Sequence, residues 1–257
     1  MILSSAETPD FLSAVKHLST GNPFACRILS LYSAYRPDLA FVDYWMLADA
    51  HGVCNGAIAR NGSNFILLLT DDSDLDEVSS FMRVAGATGI LLDGRYRLAF
   101  PGNESTGIVM KIDAPIEYAN ASECFIIPDI KPVYELIAQC AGEDFAPPAF
   151  EDFYVDVNHK LRHGAMRMTG LTDNGSLAAV AMTVAESDSG AVLGAVACAP
   201  EFRRNGYASA VVRHIVNELI NENKTVFLHR ARHVNAAFYE KLGFADCGSW
   251  REYNTKG

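Results

Sequence analysis

Apolar residues recur at helical spacing in two stretches that open the second half of the chain. Val133, Leu136, Ile137 and Cys140 follow Pro132, and Phe150, Phe153, Tyr154, Val157 and Leu161 follow an Ala-Pro-Pro loop. Each set lines one face of a predicted amphipathic helix. The period then changes. AMRMTGL, LAAVAMTVAE and GAVLGAVACA read as strands, separated by DNG and SDSG, whose residues favour hairpin turns. From Gly206 to about Glu222, the residues Ala208, Val211, Val212, Ile215 and Leu219 mark one face of a long helix, and the strand TVFLH follows it. A short helix, NAAFYEKLG, is expected to stop at Gly243, since a glycine commonly ends a helix.

The first half has a similar order of elements without visible sequence identity. Phe11, Val15 and Leu18, then Phe24, Ile28, Leu31 and Tyr35, predict two helices. Strands follow at VDYWMLAD, GAIAR and FILLLT, then a helix through Leu75, Val78, Met82 and Ala85, then a strand at TGILLD. A duplicated fold is the hypothesis this order raises. Pro128 and Pro132 in IIPDIKPV stand where the second set of helices begins, so the expected domains are 1–128 and 129–257.

Composition agrees with two cores. The chain has 257 residues, is 49% hydrophobic and is 20% charged, the balance of a soluble protein. Its longest apolar runs, such as FILLL at Phe65 to Leu69, fall far short of the roughly 20 residues that span a bilayer. MILSSAETPD lacks the basic start and apolar stretch of a secretory signal, so a cytoplasmic protein with no membrane partner is expected. The six cysteines, Cys26, Cys54, Cys124, Cys140, Cys198 and Cys247, form no zinc-ligand spacing, which predicts reduced thiols and no metal. A net charge of -10 argues against nucleic acid as a partner, because broad phosphate binding needs a basic face. Any anionic ligand must be held by a local cluster.

One such cluster is present in APEFRRNGYASAVVRHIV, Ala199 to Val216, where a strand ends and a helix begins. A helix N-terminus presents N–H groups without intrahelical partners and the positive end of the macrodipole. Gly206 lets an anion approach the backbone closely, and Arg203 and Arg204 add charge at the same corner. These residues alone leave two readings open, a pyrophosphate site or an ordinary helix start with solvated arginines. The P-loop and the three-glycine dinucleotide fingerprint are both absent.

The spacing that fits, Arg203-x-x-Gly206-x-Ala208, resembles the Arg/Gln-x-x-Gly-x-Gly/Ala motif of the GNAT superfamily of acyl-CoA-dependent N-acyltransferases. AVACAPEFRRNGYASAVV is similar to that family's fourth strand, motif loop and following helix, and FYEKLGF at Phe238 to Phe244 to its C-terminal helix signature. The resemblance covers about residues 129–257. It implies an α/β (α+β) fold in which a mixed, mostly antiparallel sheet is flanked by helices, in two tandem domains. It also implies acetyl-CoA as co-substrate, its pyrophosphate held by the loop of Arg203, Arg204, Asn205, Gly206, Tyr207, Ala208 and Ser209. Pantetheine would lie along the backbone of Val196, Ala197 and Cys198, and Tyr239 would donate a proton or hydrogen bond to the leaving sulfur. Many members carry an asparagine seven residues before this tyrosine and a small residue four before it; Arg232 and Asn235 occupy those places here. Asn235 is retained as a coenzyme contact, with helix capping as its other reading.

The reaction implied is acyl transfer to a primary amine of a small molecule, peptide or protein. A non-catalytic acyl-CoA-binding sensor or interaction module is the alternative. Glu186 and His229 are chemically suitable bases, but a surface carboxylate and a structural histidine are their simpler readings, and neither is assigned. An aminoacyl-tRNA-dependent transferase is disfavoured by the acidic chain. In the first half, Asp71, Asp72, Asp74 and Asp76 crowd the matching helix entrance, where they favour the dipole and repel a phosphate. That half is expected to be accessory: to support the fold, line the acceptor cleft or recognise a partner.

Overall fold

A computed structural model describes residues 1–5, 10–18, 21–117, 125–142 and 147–255. The chain opens with β1 (Ile2–Ser4), α1 (Phe11–Leu18) and α2 (Pro23–Ala34), then β2 (Val42–Ala48), β3 (Cys54–Asn61) and β4 (Asn64–Leu69). Next come α3 (Leu75–Val84), β5 (Gly89–Asp93), β6 (Asn103–Ile112) and the short β7 (Phe125–Ile126). The second series is α4 (Ile130–Gln139), α5 (Phe150–Arg162), β8 (Met168–Asp173), β9 (Ser176–Glu186) and β10 (Gly190–Cys198). It closes with α6 (Tyr207–Asn221), β11 (Thr225–Ala231), α7 (Ala236–Lys241) and β12 (Ala245–Asn254). The helices and strands expected from periodicity are all present, while β1, β6, β7 and β12 were not foreseen.

The chain divides into two compact units. Unit 1 comprises Met1–Met110, His229–Val234 and Asp246–Gly257, and unit 2 comprises Lys111–Leu228 and Asn235–Ala245. In unit 1 the strand order is β1-β2-β3-β4-β5-β12-β6, with the end of β11 beside β6. Neighbours from β1 to β4 are antiparallel, β4 and β5 are parallel, and β12 returns antiparallel to β5. The core gathers Phe65, Leu67, Met82, Ile90, Leu92 and Tyr253. Tyr253 is tied in place by its hydroxyl, which accepts from the Leu98 N–H at 2.9 Å. Burying each such large side chain contributes about 1.5–3 kcal/mol.

In unit 2 the order is β7-β8-β9-β10 followed by the first residues of β11. The β8–β9 hairpin turns through Asn174 and Gly175, both at positive φ (50° and 81°), the geometry that Asn-Gly pairs favour. Val133, Ile137 and Val157 from α4 and α5 pack with Met168, Val180 and Met182 of the sheet, and α6 packs on β8, β9 and β10. No helix among the described residues is long and apolar enough to cross a membrane.

A charge network holds the lower end of unit 2. Arg167 donates through Nε and Nη2 to Glu186 at 2.8 Å each and through Nη1 and Nη2 to Glu222 at 2.6 and 2.7 Å. Thr183 Oγ1 and Lys224 Nζ complete the shell of Glu186 at 2.9 and 3.0 Å. The Glu186 side chain is 3% exposed, and burying a charged group is costly without such partners.

Candidate active site

All of the coenzyme contacts expected from the sequence, and Tyr239, belong to unit 2. The site begins on β10. Val196, Ala197 and Cys198 pair on one side with Ala181, Val180 and Ala179 of β9. On the other side, parallel pairing with β11 runs only from Gly190↔Thr225 to Leu193↔Leu228. Beyond Leu193, β10 therefore continues with one edge unpaired by β11, and Gly194, Ala195 and Val196 are partly accessible. An unpaired strand edge offers N–H and C=O groups to an extended ligand.

At the end of β10, Pro200–Phe202 form one 3-10 turn, where proline's missing N–H is harmless. Arg204 and Gly206 then adopt positive φ, 66° and 85°. Gly206 is the N-cap of α6 and, having no side chain, makes no side-chain cap bond. The first N–H groups of α6 thus lack the carboxylate or hydroxyl that commonly occupies them. A Cβ at Gly206 would meet nothing within 4 Å, so the bare backbone faces open space. Alternating signs of φ along such a turn make a concave row of N–H groups suited to an anion.

The side chains around this turn divide into free and engaged. Arg204 and Asn205 are exposed. Arg203 is exposed but folds back, with Nε donating to the Cys198 carbonyl at 3.3 Å and Nη2 lying 3.7 Å from Cys140 Sγ. Cys140 Sγ donates to that same carbonyl at 3.4 Å, so Arg203 braces the end of β10 as well as charging the corner. Tyr207 donates its hydroxyl to Asp173 Oδ2 at 2.8 Å, which ties the first turn of α6 to β8. Ala208 and Ser209 lie on that turn, partly buried. The Cys198 thiol is pushed up by burial and then by Cys140, which keeps it protonated and unsuited to nucleophilic attack.

Tyr239 sits on α7, 9% exposed. Phe238 and Phe244 pack against its ring edge-on at centroid distances of 4.9 and 5.7 Å. Helix α7 closes at Gly243 (φ 92°). There Gly243 N–H bonds the Glu240 carbonyl and Phe244 N–H bonds the Tyr239 carbonyl, at 3.0 and 3.1 Å. This paired C-terminal arrangement fixes the turn that brings Phe244 back onto the tyrosine. Burial pushes the phenol up to about 12, so it remains a proton-bearing donor at neutral pH. Asn235 stands at the N-cap of α7 with φ 59°, and its side chain makes no cap bond; the capping reading does not hold, and the side chain is exposed.

Neither candidate base is available in unit 2. Glu186 is enclosed in the charge network, and His229 belongs to unit 1. The bracing of β10 by Arg203 and Cys140 was missed from sequence, because nothing local signals that a residue 63 positions away will meet the guanidinium.

Residues 168–253 match the FR47-like protein family. The [Ribosomal protein bS18]-alanine N-acetyltransferase of Escherichia coli K12 is 35% identical over 86 residues, which are 32% of this chain and 57% of that protein. The chain thus spans little more than half the length of the curated relatives it matches. A tandem GNAT protein from the clavulanic acid biosynthesis pathway superposes with a TM-score of 0.60 at 15% identity, covering 98% of this chain and 97% of that one. A putative acetyltransferase of the GNAT family from Novosphingobium aromaticivorans gives 0.57 at 16% identity, over 90% and 96%. These two likenesses carry the fold, and the FR47-like match covers about the last third of the chain.

Proposed function

We propose that the chain is an N-acetyltransferase that moves the acetyl group of acetyl-CoA directly to a primary amine, and that the half after Pro128 holds the coenzyme. The observation that carries this reading is the open corner at Gly206 beside the unpaired edge of β10. Both fit the group: no atom lies within 4 Å of a Cβ at Gly206, and the edge from Gly194 to Cys198 has no β11 partner. The N–H groups of the turn and of Tyr207, Ala208 and Ser209 would receive the pyrophosphate, with Arg204 adding charge. Backbone groups of Val196, Ala197 and Cys198 would receive the pantetheine amides.

When bound, acetyl-CoA supplies the activated thioester carbonyl. The amine nitrogen would form the new C–N bond and give up one proton to water, while the C–S bond breaks and the sulfur leaves with the electron pair. Tyr239 is the donor for that sulfur. With the phenol at about 12 and a thiol near 8.5, complete proton transfer to a free thiolate is uphill by about 5 kcal/mol. Tyr239 therefore acts by hydrogen bonding to the developing charge, which needs no full transfer.

That neither Glu186 nor His229 offers a free base in unit 2 bears on the acceptor. A lysine-like amine, with pKa about 10.4, is neutral in less than about one molecule in a thousand at pH 7, whereas an α-amine near 7.7–8.0 is neutral in about one in ten. α-Amines need the least help, so they are the acceptors we favour among small molecules, peptides and proteins. The E. coli relative, whose name gives an alanine acceptor, agrees with that preference.

The test is steady-state release of coenzyme A thiol from acetyl-CoA with a panel containing an Ala-initiated peptide, an N-blocked lysine peptide and simple amines. Amine-dependent release, highest with the α-amine, is expected. Coenzyme binding without amine-dependent release would leave a non-catalytic acyl-CoA-binding module instead.

A further inference from the structure

Helix α5 runs out in His-Lys-Leu-Arg-His, whose two histidines stand four residues apart. That spacing sets side chains one above the other on a single helix face. The imidazoles of His159 and His163 meet there, with ring centroids 4.1 Å apart and planes 27° from parallel. The acetyl-transfer reading makes no use of them.

The way the helix ends holds the pair together. His163 is the C-cap residue of α5, and Gly164 follows it at φ 65°, a left-handed geometry that glycine adopts readily. Gly164 N–H then bonds the Leu161 carbonyl at 3.2 Å, and Ala165 N–H bonds the Lys160 carbonyl at 2.9 Å. These paired bonds close the helix, and Ala165, only 1% exposed, anchors the turn in the core. His163 is thereby held against the last turn. Its backbone N–H and its ring Nδ1 both reach the His159 carbonyl, at 3.2 and 2.9 Å.

That ring contact sets the chemistry of His163. A carbonyl oxygen can only accept, so Nδ1 carries the hydrogen, and the neutral ring then presents its lone pair on Nε2. Metal-ligating histidines are commonly oriented in this way, by a backbone carbonyl bonded to the other ring nitrogen. His163 is exposed and His159 partly accessible, so an ion can reach both rings from solvent. The torsion about an imidazole is broad, and with the planes already 27° apart a small rotation directs both rings at one point. The local field also suits a cation. The last carbonyls of α5 form the negative end of its macrodipole, and the ammonium of Lys160 is paired with Asp156 at 2.8 Å.

Imidazole nitrogen discriminates among cations: it suits zinc, nickel and copper, whereas magnesium and calcium favour oxygen. No group of three or more His, Cys, Asp or Glu side chains that could hold a metal occurs among the described residues. The protein would therefore fill two positions of the ion's shell, and water the rest. We propose that His159 and His163 bind one divalent transition-metal ion, of the zinc and nickel class, at the C-terminal end of α5. This site goes beyond acetyl transfer and does not depend on it.

Calorimetric titration of the chelator-treated full chain with nickel, zinc and magnesium sulfates tests it. Nickel and zinc should each bind saturably, and magnesium should not bind. Removing one of two linked donors forfeits the advantage of chelation, so nickel affinity should fall about tenfold or more in His159→Asn and in His163→Asn. Far-UV circular dichroism establishes that each variant is folded; should His159→Asn fail there, His163→Asn at the exposed helix end and the magnesium comparison still decide. Nickel affinity unchanged in either folded variant would overturn the proposal. So would the absence of saturable nickel or zinc binding, or magnesium binding as tight as that of nickel.

Discussion

The entrances to α3 and α6 occupy the same place in the order of elements and are finished in opposite ways. At α3, Asp74 caps the helix, accepting from the N–H groups of Asp76 and Glu77 at 3.0 and 2.9 Å, and Asp76 and Glu77 add negative charge to the first turn. At α6, the N-cap is a left-handed glycine without a side chain, and no acidic residue occupies the first turn. One helix has its N–H groups satisfied from within the protein. The other has no cap side chain to satisfy them. The same macrodipole thus stabilises a fold in one unit and, in the proposed function, would serve an anion site in the other.

The largest expected effect tests the chemistry proposed for unit 2. Tyr239→Phe keeps the ring between Phe238 and Phe244 and removes the donor hydroxyl. Acetyl transfer in single turnover should fall by about 10²- to 10⁴-fold, while calorimetric affinity for coenzyme A changes little. Full activity would return Tyr239 to a packing role.

Next in size is the corner itself. Because Gly206 sits at φ 85°, a β-branched replacement would strain the backbone as well as fill the space. Gly206→Asn separates these effects, since asparagine tolerates the left-handed region. Its side chain would occupy the space now open at the Cβ position, and coenzyme A affinity should weaken by about tenfold or more with little change in melting temperature. Unchanged affinity in the folded variant would remove the corner from the mechanism.

How much of this contrast was legible in the sequence follows from where each signal is stored. Arg203, Gly206 and Ala208 form a local motif, and four aspartates in LTDDSDLDEV are equally local, so both helix entrances could be read directly. Periodicity disclosed helices such as α6 because a buried face repeats over many residues. It failed for β12, whose ADCGSWREYN is mostly exposed and carries charges, and for β6, which begins with the polar Asn-Glu-Ser-Thr. Strands of that kind are specified by the neighbours they pair with. The enclosure of Glu186 by Arg167 and Lys224 was hidden for the same reason, as the partners come from separate elements.

The acidic entrance can also be relieved. Asp74→Ala removes the α3 cap and should destabilise the protein by about 1 kcal/mol, measured by urea unfolding. It should not create a coenzyme site, because the remaining Asp76 and Glu77 still repel phosphate. Titration should give one coenzyme A per chain in both wild type and variant. Two equivalent sites in either would show that the entrance charge does not distinguish the units.

The smallest effect concerns what anchors α6 at its other end. Arg167 chelates Glu222, which directly follows α6, and this holds the Glu222 carboxyl down at about 2 against an ordinary 4.5, with Lys224 assisting. A carboxyl whose folded value is depressed contributes stability that is fully present above the unfolded value and is lost as pH falls through the folded one. The window is therefore pH 4.5 down to about 2. The Glu222 side chain is 44% exposed, so solvent screening limits the contribution to a surface pair's, under about 1 kcal/mol. Glu222→Gln should lower the melting temperature slightly at pH 7 and reduce its fall between pH 4.5 and 2, with the wild-type and variant curves converging at the acid end. Parallel curves across that window would mean that Arg167 is held by Glu186 alone, and that the lower end of α6 is fixed by packing and not by this ion pair.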